Sequence, residues 1–177
     1  PLRLFNKFNI SLLVGQSYSK NFGLYGERVG SCSIVCRTLK EKHLVDDHLK
    51  YIIRPLINSA PIMGARIIHK ILSSNIYKKK WNKELHRMAG RLRDVRQKLY
   101  NLLDNMDNNV DWSYIKNGHG LYVYTEFPLK LTKELANKYH IYILYSGRIN
   151  IAAISEKNIN YIAESINKAV KKYPNYK

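Results

Sequence analysis

Acidic residues are scarce in this chain: 13 Asp and Glu stand against 30 Lys and Arg, a formal net charge of +17. Such an imbalance fits either a polyanionic partner or a solvated basic surface balanced by acidic groups elsewhere. Many of the basic residues lie between Lys70 and Lys98, on the polar side of a helical pattern. No zinc-finger spacing, helix-turn-helix signature or aromatic RNA-binding motif accompanies them, so no nucleic-acid partner is expected. Long apolar runs are also missing. None reaches 18 residues, and no membrane-spanning helix is expected. Pro1-Leu2-Arg3-Leu4-Phe5 is not a secretory leader, because no basic segment precedes an apolar block. It also lacks an initiator Met, and a strand-like run follows almost at once, so a piece of a longer protein is expected; the expected compartment is the cytoplasm. Cysteine is limited to Cys32 and Cys36. On one strand they would lie roughly 13 Å apart, too far for a disulfide. They read as reduced core residues of an intracellular protein. No second Cys pair or His cluster has ligand spacing, so no metal site is expected.

What is present is an ordinary hydrophobic share of 45% in 177 residues, enough for one domain or a domain and a half. Asn9 to Val14 reads as a buried strand, and Val29 to Cys36 as a second one. Lys40 to Ile53 reads as a helix with Leu44, Leu49, Ile52 and Ile53 on its apolar face. Arg54-Pro55 should interrupt it, since proline disfavours helix at the preceding residue. Asn58 to Pro61 is a turn, and Met63 to Leu72 a second helix. Trp81, Leu85, Met88, Leu92, Val95, Leu99 and Leu102 then recur at alternating spacings of four and three. This seven-residue repeat suits a coiled coil or a long helix lying across the protein body. The polar stretch from Asp104 to Asp111 is a candidate boundary. Beyond it, Gly120–Phe127, Ile141–Tyr145 and Arg148–Ala152 read as strands and Lys130–Tyr139 as a helix. A final helix is capped by Ser155.

The segment Ser17-Tyr18-Ser19-Lys20-Asn21-Phe22-Gly23-Leu24-Tyr25-Gly26-Glu27-Arg28 carries the chemistry. A flexible lysine is costly to order in a tight loop, but its amine can condense with an aldehyde. Hydroxyls and an arginine nearby suit a phosphate. Aldehyde and phosphate on one small molecule describe pyridoxal 5'-phosphate (PLP). Taken singly, Lys20 and Arg28 read as surface cations and Ser17 as a turn residue.

Gln16–Gly30 resembles the PLP-lysine motif of the aspartate aminotransferase family, within the class I PLP-dependent aminotransferases. Ile53-Arg54-Pro55 followed by Pro61-Ile62-Met63-Gly64-Ala65-Arg66-Ile67 resembles a second motif of that family. Ser146-Gly147-Arg148-Ile149-Asn150-Ile151-Ala152 resembles a third. Order and separations fit, and the resemblance covers the C-terminal part of the family's sequence. Asn58-Ser59-Ala60-Pro61 departs from the family's usual Ser-Asn-Pro-Pro. The family's pyridine-nitrogen aspartate and its other cofactor ligands match nothing between residues 1 and 177.

The resemblance implies Lys20 as the residue that binds the cofactor aldehyde and then shuttles the substrate proton. Ser17 and Arg28 would hold the phosphate, with Ser19 as a further donor. Arg148 would bind the substrate α-carboxylate. Arg54 would reach into a neighbouring subunit's site and grip the distal carboxylate. Tyr122 lies where the family often has an aromatic beside the substrate, while its own pattern reads first as a packing residue. The implied fold is α/β, of the PLP-dependent transferase type. Residues 1–75 would complete a large, mostly parallel-sheet domain, residues 76–105 would be the interdomain helix, and residues 106–177 would be most of a small α+β domain. The implied assembly is a homodimer with shared active sites. The implied substrates are small dicarboxylic amino acids and keto acids. An aminotransferase of broader range, or a basic nucleic-acid-binding module without catalysis, is the alternative.

Overall fold

A computed structural model describes residues 2–173. The chain divides into two compact units, Pro1–Lys83 and Glu84–Lys177. The division falls inside one 30-residue helix, α4 (Asn75–Asp104).

The first unit opens with a short helix, α1 (Leu2–Lys7), where the sequence pattern suggested no element. Strands β1 (Leu12–Ser17) and β2 (Gly30–Val35) follow. They pair antiparallel, Leu12 opposite Val35 and Ser17 opposite Gly30. No parallel pair occurs among the described residues, so the expected mostly parallel sheet is not seen in this segment. Twelve residues between two paired strands make a hairpin-like return, not a parallel crossover through a helix. The ladder brings the lysine loop back on itself.

Helix α2 (Leu39–Ile57) is capped by Thr38, whose side chain accepts the Glu41 N–H. It does not stop before Pro55 as expected but runs two residues beyond it. A proline this near the C-terminus removes one backbone donor, and the last turn survives that loss. Asn58 closes the helix with φ 53°, its N–H on the Arg54 carbonyl. The expected apolar face of α2 is uncovered. Leu44, Ile52 and Ile53 are 45–54% exposed, and no α2 residue is buried. Helix α3 (Met63–Ser73) follows as expected and buries Gly64 and Ile68. Cys32 is exposed and Cys36 only part-buried, so the expected core cysteines are free thiols near the surface.

The hydrophobic core lies in the second unit. Helix α4 contributes Val95, Leu99 and Leu103, and half-buries Leu92 and Leu102. The buried residue is Leu103, where the heptad pattern pointed to Leu102. A straight helix drifts about 20° per heptad against a strict seven-residue repeat. Three heptads therefore carry the stripe round by most of one residue. Helix α5 (Ser113–Asn117), strand β3 (Tyr122–Tyr124), helix α6 (Leu129–Tyr139), strand β4 (Arg148–Asn150), a 3₁₀ turn (Ile151–Ala153) and helix α7 (Ile159–Val170) complete the unit. Strands β3 and β4 pair antiparallel over three residues, Tyr124 opposite Arg148 and Tyr122 opposite Asn150.

The expected strand at Ile141–Tyr145 does not form. Its first N–H closes α6 onto the Leu135 carbonyl, and the Gly147 N–H bonds the Leu144 carbonyl in a turn. Helix α7 starts at Ile159, with Asn158 as its cap residue, rather than directly after Ser155. Asn158 instead accepts the Ser155 N–H through its side chain. The polar stretch after α4 is ordered by Asn108. Its amide donates to the Leu103 and Met106 carbonyls and to Asn167, and its oxygen accepts the Trp112 indole N–H.

Candidate active site

In the first unit the chain leaves β1 at Ser17 and returns to β2 at Gly30, so residues 18–29 form a closed loop. Its neck is tied by the Tyr18 N–H on the Val29 carbonyl and by the Tyr18 hydroxyl against Ser31. The Ser17 hydroxyl accepts the Ser19 N–H at 3.2 Å, which turns the chain just before Lys20. Gly23 takes φ 69°, a conformation that suits glycine. Close approach demands a second glycine: a Cβ on Gly30 would lie 2.6 Å from the Gln16 carbonyl oxygen.

The loop is propped by aromatic packing. Phe22 stacks on Trp81 of α4, with centroids 4.6 Å apart and planes 11° from parallel. Tyr18 meets the Phe22 ring edge-on. The Trp81 indole N–H donates to the Asn21 carbonyl at 3.2 Å. Stacked pairs of this kind contribute about 0.5–1.5 kcal/mol beyond their burial. The underside of the loop rests on α3, where Gly64 lies so close that a Cβ would stand 2.9 Å from Glu27 and 3.0 Å from Val29.

Lys20 and Arg28 converge on Tyr25. The Lys20 ammonium sits over the Tyr25 ring, 4.2 Å from its centroid. The Arg28 guanidinium donates to the Tyr25 carbonyl at 3.2 Å. Neither cation has a carboxylate partner among the described residues. Ser19 is buried and Ser17 exposed. Two unpaired cations and two hydroxyls within twelve residues form a donor set that suits a phosphate anion with an aldehyde beside it. PLP fits that set. Arg54 is on α2, exposed, and its guanidinium has no hydrogen-bond or ion-pair partner among the described residues.

In the second unit Arg148 and Tyr122 come together. They occupy diagonal positions on one face of the β3–β4 ribbon. The Arg148 guanidinium lies over the Tyr122 ring, 4.5 Å from its centroid. Both side chains are exposed, and a cation–π contact leaves the guanidinium edge open for a carboxylate.

Sequence reasoning missed the group that holds β3. Arg96 is 2% exposed and has no acidic partner among the described residues. Its guanidinium donates to three carbonyls: Ile115 at 2.9 Å, Gly120 at 2.9 Å and Tyr122 at 2.8 Å. Burial pushes its pKa below the usual arginine range. The signal was available. Arg96 is four residues after Leu92 and three before Leu99, so it falls on the apolar stripe of α4. A charged residue there has to find carbonyls or carboxylates inside. Gly118 accommodates it, since a Cβ at that position would lie 2.9 Å from Arg96 Nη1. Tyr25, under Lys20, was also missed.

Comparison with known proteins identifies the family. Residues 2–166 match the family described as aminotransferase class I and II. Aspartate aminotransferase 1 of Medicago sativa is 39% identical over 170 residues, which cover 96% of this chain and 41% of the plant protein. The cytoplasmic aspartate aminotransferase of Dictyostelium discoideum is 41% identical over 168 residues, 95% of this chain and 38% of that protein. Among solved structures, aspartate aminotransferase from Trypanosoma cruzi superposes with a TM-score of 0.89 at 32% identity, covering 97% of this chain and 43% of its own. An aromatic-amino-acid aminotransferase from Burkholderia pseudomallei, covalently bound to pyridoxal phosphate, also gives 0.89 at 32% identity, covering 95% and 42%. The chain thus spans about two-fifths of the length of these relatives. With the lysine loop and the arginine-bearing ribbon in place, the chain belongs to the class I and II aminotransferase family and has the fold of its PLP-dependent members.

Proposed function

We propose that this chain supplies the lysine, part of the phosphate site and the carboxylate-binding arginines of an aspartate aminotransferase. The enzyme would transfer the amino group reversibly between L-aspartate with 2-oxoglutarate and oxaloacetate with L-glutamate. The observation that carries the reading is that Lys20 and Arg28 both contact Tyr25, with no acid among the described residues to neutralise them. Ser17, Ser19 and Arg28 would hold the phosphate of PLP, and Lys20 its aldehyde. When bound, PLP supplies an electron sink that stabilises negative charge at the substrate Cα.

The chain's own residues do the rest. Arg148 binds the α-carboxylate through its open guanidinium edge, with Tyr122 limiting how the guanidinium turns. A planar fork meets a carboxylate at two points, which a lysine does not do. Arg54, unpaired on α2, reaches the distal carboxylate in the site of a second subunit, so the assembly is a homodimer with shared sites. Holding the substrate at both ends fixes the Cα–H bond relative to Lys20, and this orientation lowers the barrier. Once its amine is neutral, Lys20 Nζ takes the proton from Cα and later returns one to the product.

Absorption tests the core of this reading. Full-length protein mixed with PLP should gain a visible-range band that Lys20→Ala loses. A band that survives Lys20→Ala, or none in the intact protein, would overturn it. The second reading, a broader substrate range, is favoured by the match to an aromatic-amino-acid aminotransferase. Comparable kcat/KM on phenylalanine and aspartate would select it. Family membership leaves the basic nucleic-acid module without an observation to carry it. The relatives come from cytoplasm, mitochondria and chloroplasts, and no helix among the described residues is long and apolar enough to cross a membrane.

A further inference from the structure

We propose that Thr125 is a positioning residue for Arg148, acting through the peptide that joins Gly147 to Arg148. The proposal rests on the assignment of Arg148 to the substrate carboxylate.

Arg148 is the first residue of β4, opposite Tyr124 at the end of a ladder only three residues long. The end of so short a ladder should fray, and an arginine there would point loosely. Thr125, the next residue after β3, prevents this. Its backbone N–H donates to the Gly147 carbonyl at 3.1 Å, extending the ladder by one rung. Its hydroxyl donates to the same carbonyl at 2.7 Å. One carbonyl therefore receives two donors from one residue, which saturates its lone pairs and sets the plane of the Gly147–Arg148 amide. Thr125 is 1% exposed, so water does not compete for either bond.

Gly147 fits the same device. It has φ 80°, and a Cβ there would lie 2.8 Å from the Thr125 hydroxyl oxygen and 2.9 Å from the Phe127 nitrogen. The glycine thus lets its carbonyl approach the threonine. Beyond the backbone, the Tyr122 ring holds the guanidinium itself. Arg148 is held at both ends, by Thr125 at its amide and by Tyr122 at its tip. A tilt of the amide by ~10° would displace the end of so long a side chain by about 1 Å. That is beyond the tolerance of a positioned binding group.

The test compares Thr125→Val, Thr125→Ser and Arg148→Lys in the full-length, PLP-loaded protein. Thr125→Val keeps the shape and removes the hydroxyl, and Thr125→Ser keeps the hydroxyl. For Thr125→Val, KM for aspartate and for 2-oxoglutarate should each rise about tenfold, with kcat changed much less. The Kd of succinate, a dicarboxylate that cannot react, should rise in step. The visible band of the bound cofactor should stay at wild-type strength. Thr125→Ser should bind succinate like wild type. Wild-type succinate binding in Thr125→Val would refute the proposal, and so would a tenfold loss in Thr125→Ser. If Thr125→Val does not fold, the serine variant alone decides. Arg148→Lys separates the two levels. If it leaves succinate binding intact, the carboxylate assignment fails and takes this proposal with it. A crippled Arg148→Lys beside a normal Thr125→Val removes the Thr125 role only.

Discussion

Replacing Arg96 by methionine would remove a buried cation whose partners are all carbonyls. Methionine has a similar unbranched stem and refills much of the space. What is lost are three charge-assisted hydrogen bonds, from Nη1 to Ile115 and from Nη2 to Gly120 and Tyr122. Such bonds contribute about 1.5–3 kcal/mol each, and a buried acceptor left unpaired costs about 1–3 kcal/mol. The Ile115 carbonyl is buried and bears the full cost, while those of Gly120 and Tyr122 are only part-buried and regain water. Against the loss stands relief from burying a guanidinium, a penalty already visible in the lowered Arg96 pKa. The balance is a destabilisation of about 3 kcal/mol, at the lower edge of values for broken buried ionic contacts. Urea denaturation followed by Trp112 fluorescence reads it, with the midpoint falling and the slope unchanged. In a unit of this size it corresponds to a melting point lower by at least about 12 °C. Arg96→Lys should recover only part, because an ammonium cannot span three carbonyls in a plane. A loss below about 1 kcal/mol for Arg96→Met would refute the reasoning. It would show that the carbonyls find water and that β3 does not depend on the guanidinium.

Other outcomes follow from the same geometry. Gly118→Ala should destabilise the second unit by about 1–3 kcal/mol through overpacking against Arg96. Part of that loss should vanish in the Arg96→Met background, as a double-mutant cycle in urea would show. Gly64→Ala should push the Glu27–Val29 segment off α3 and weaken PLP retention severalfold, measured by dialysis and the visible band. Trp81→Leu removes the Phe22 stack and the bond to Asn21. It should lower stability by about 1–2 kcal/mol and quicken cofactor loss. Arg54→Ala should lower kcat/KM for aspartate at least a hundredfold and far less for phenylalanine, and equal losses would refute its distal-carboxylate role.

The lysine loop, the long helix and the arginine strand were legible because each depends on local chemistry. Hydroxyls, glycines and cations within twelve residues suggest an anion site before any fold exists, and the periodicity of α4 declares a helix. Errors came where non-local partners decide. Ile141–Tyr145 has strand composition, but its N–H groups go to a helix end and a turn. Pro55 sits near enough to the end of α2 for the helix to pass through it. Cys32 and Cys36 lie in an apolar run, yet the two-stranded ribbon leaves them at or near the surface.

The sequence by itself determined which functional groups this chain carries: the amine of Lys20, the hydroxyls of Ser17 and Ser19 and the guanidinium groups of Arg28, Arg54 and Arg148 are side-chain identities, and no packing can add or remove them. Tertiary structure alone decided how they are held. Arg96 became a brace only when α5 and β3 brought three carbonyls to it. Lys20 and Arg28 became a pair only when the β1–β2 ladder closed their loop over Tyr25. Thr125 reached the Gly147 carbonyl, one peptide before Arg148, only because an antiparallel ladder brought residues 22 apart in sequence into one hydrogen bond. The physical reason is that a charge or a hydroxyl is intrinsic to a residue, whereas its partner is chosen by whichever backbone the fold brings within about 3 Å.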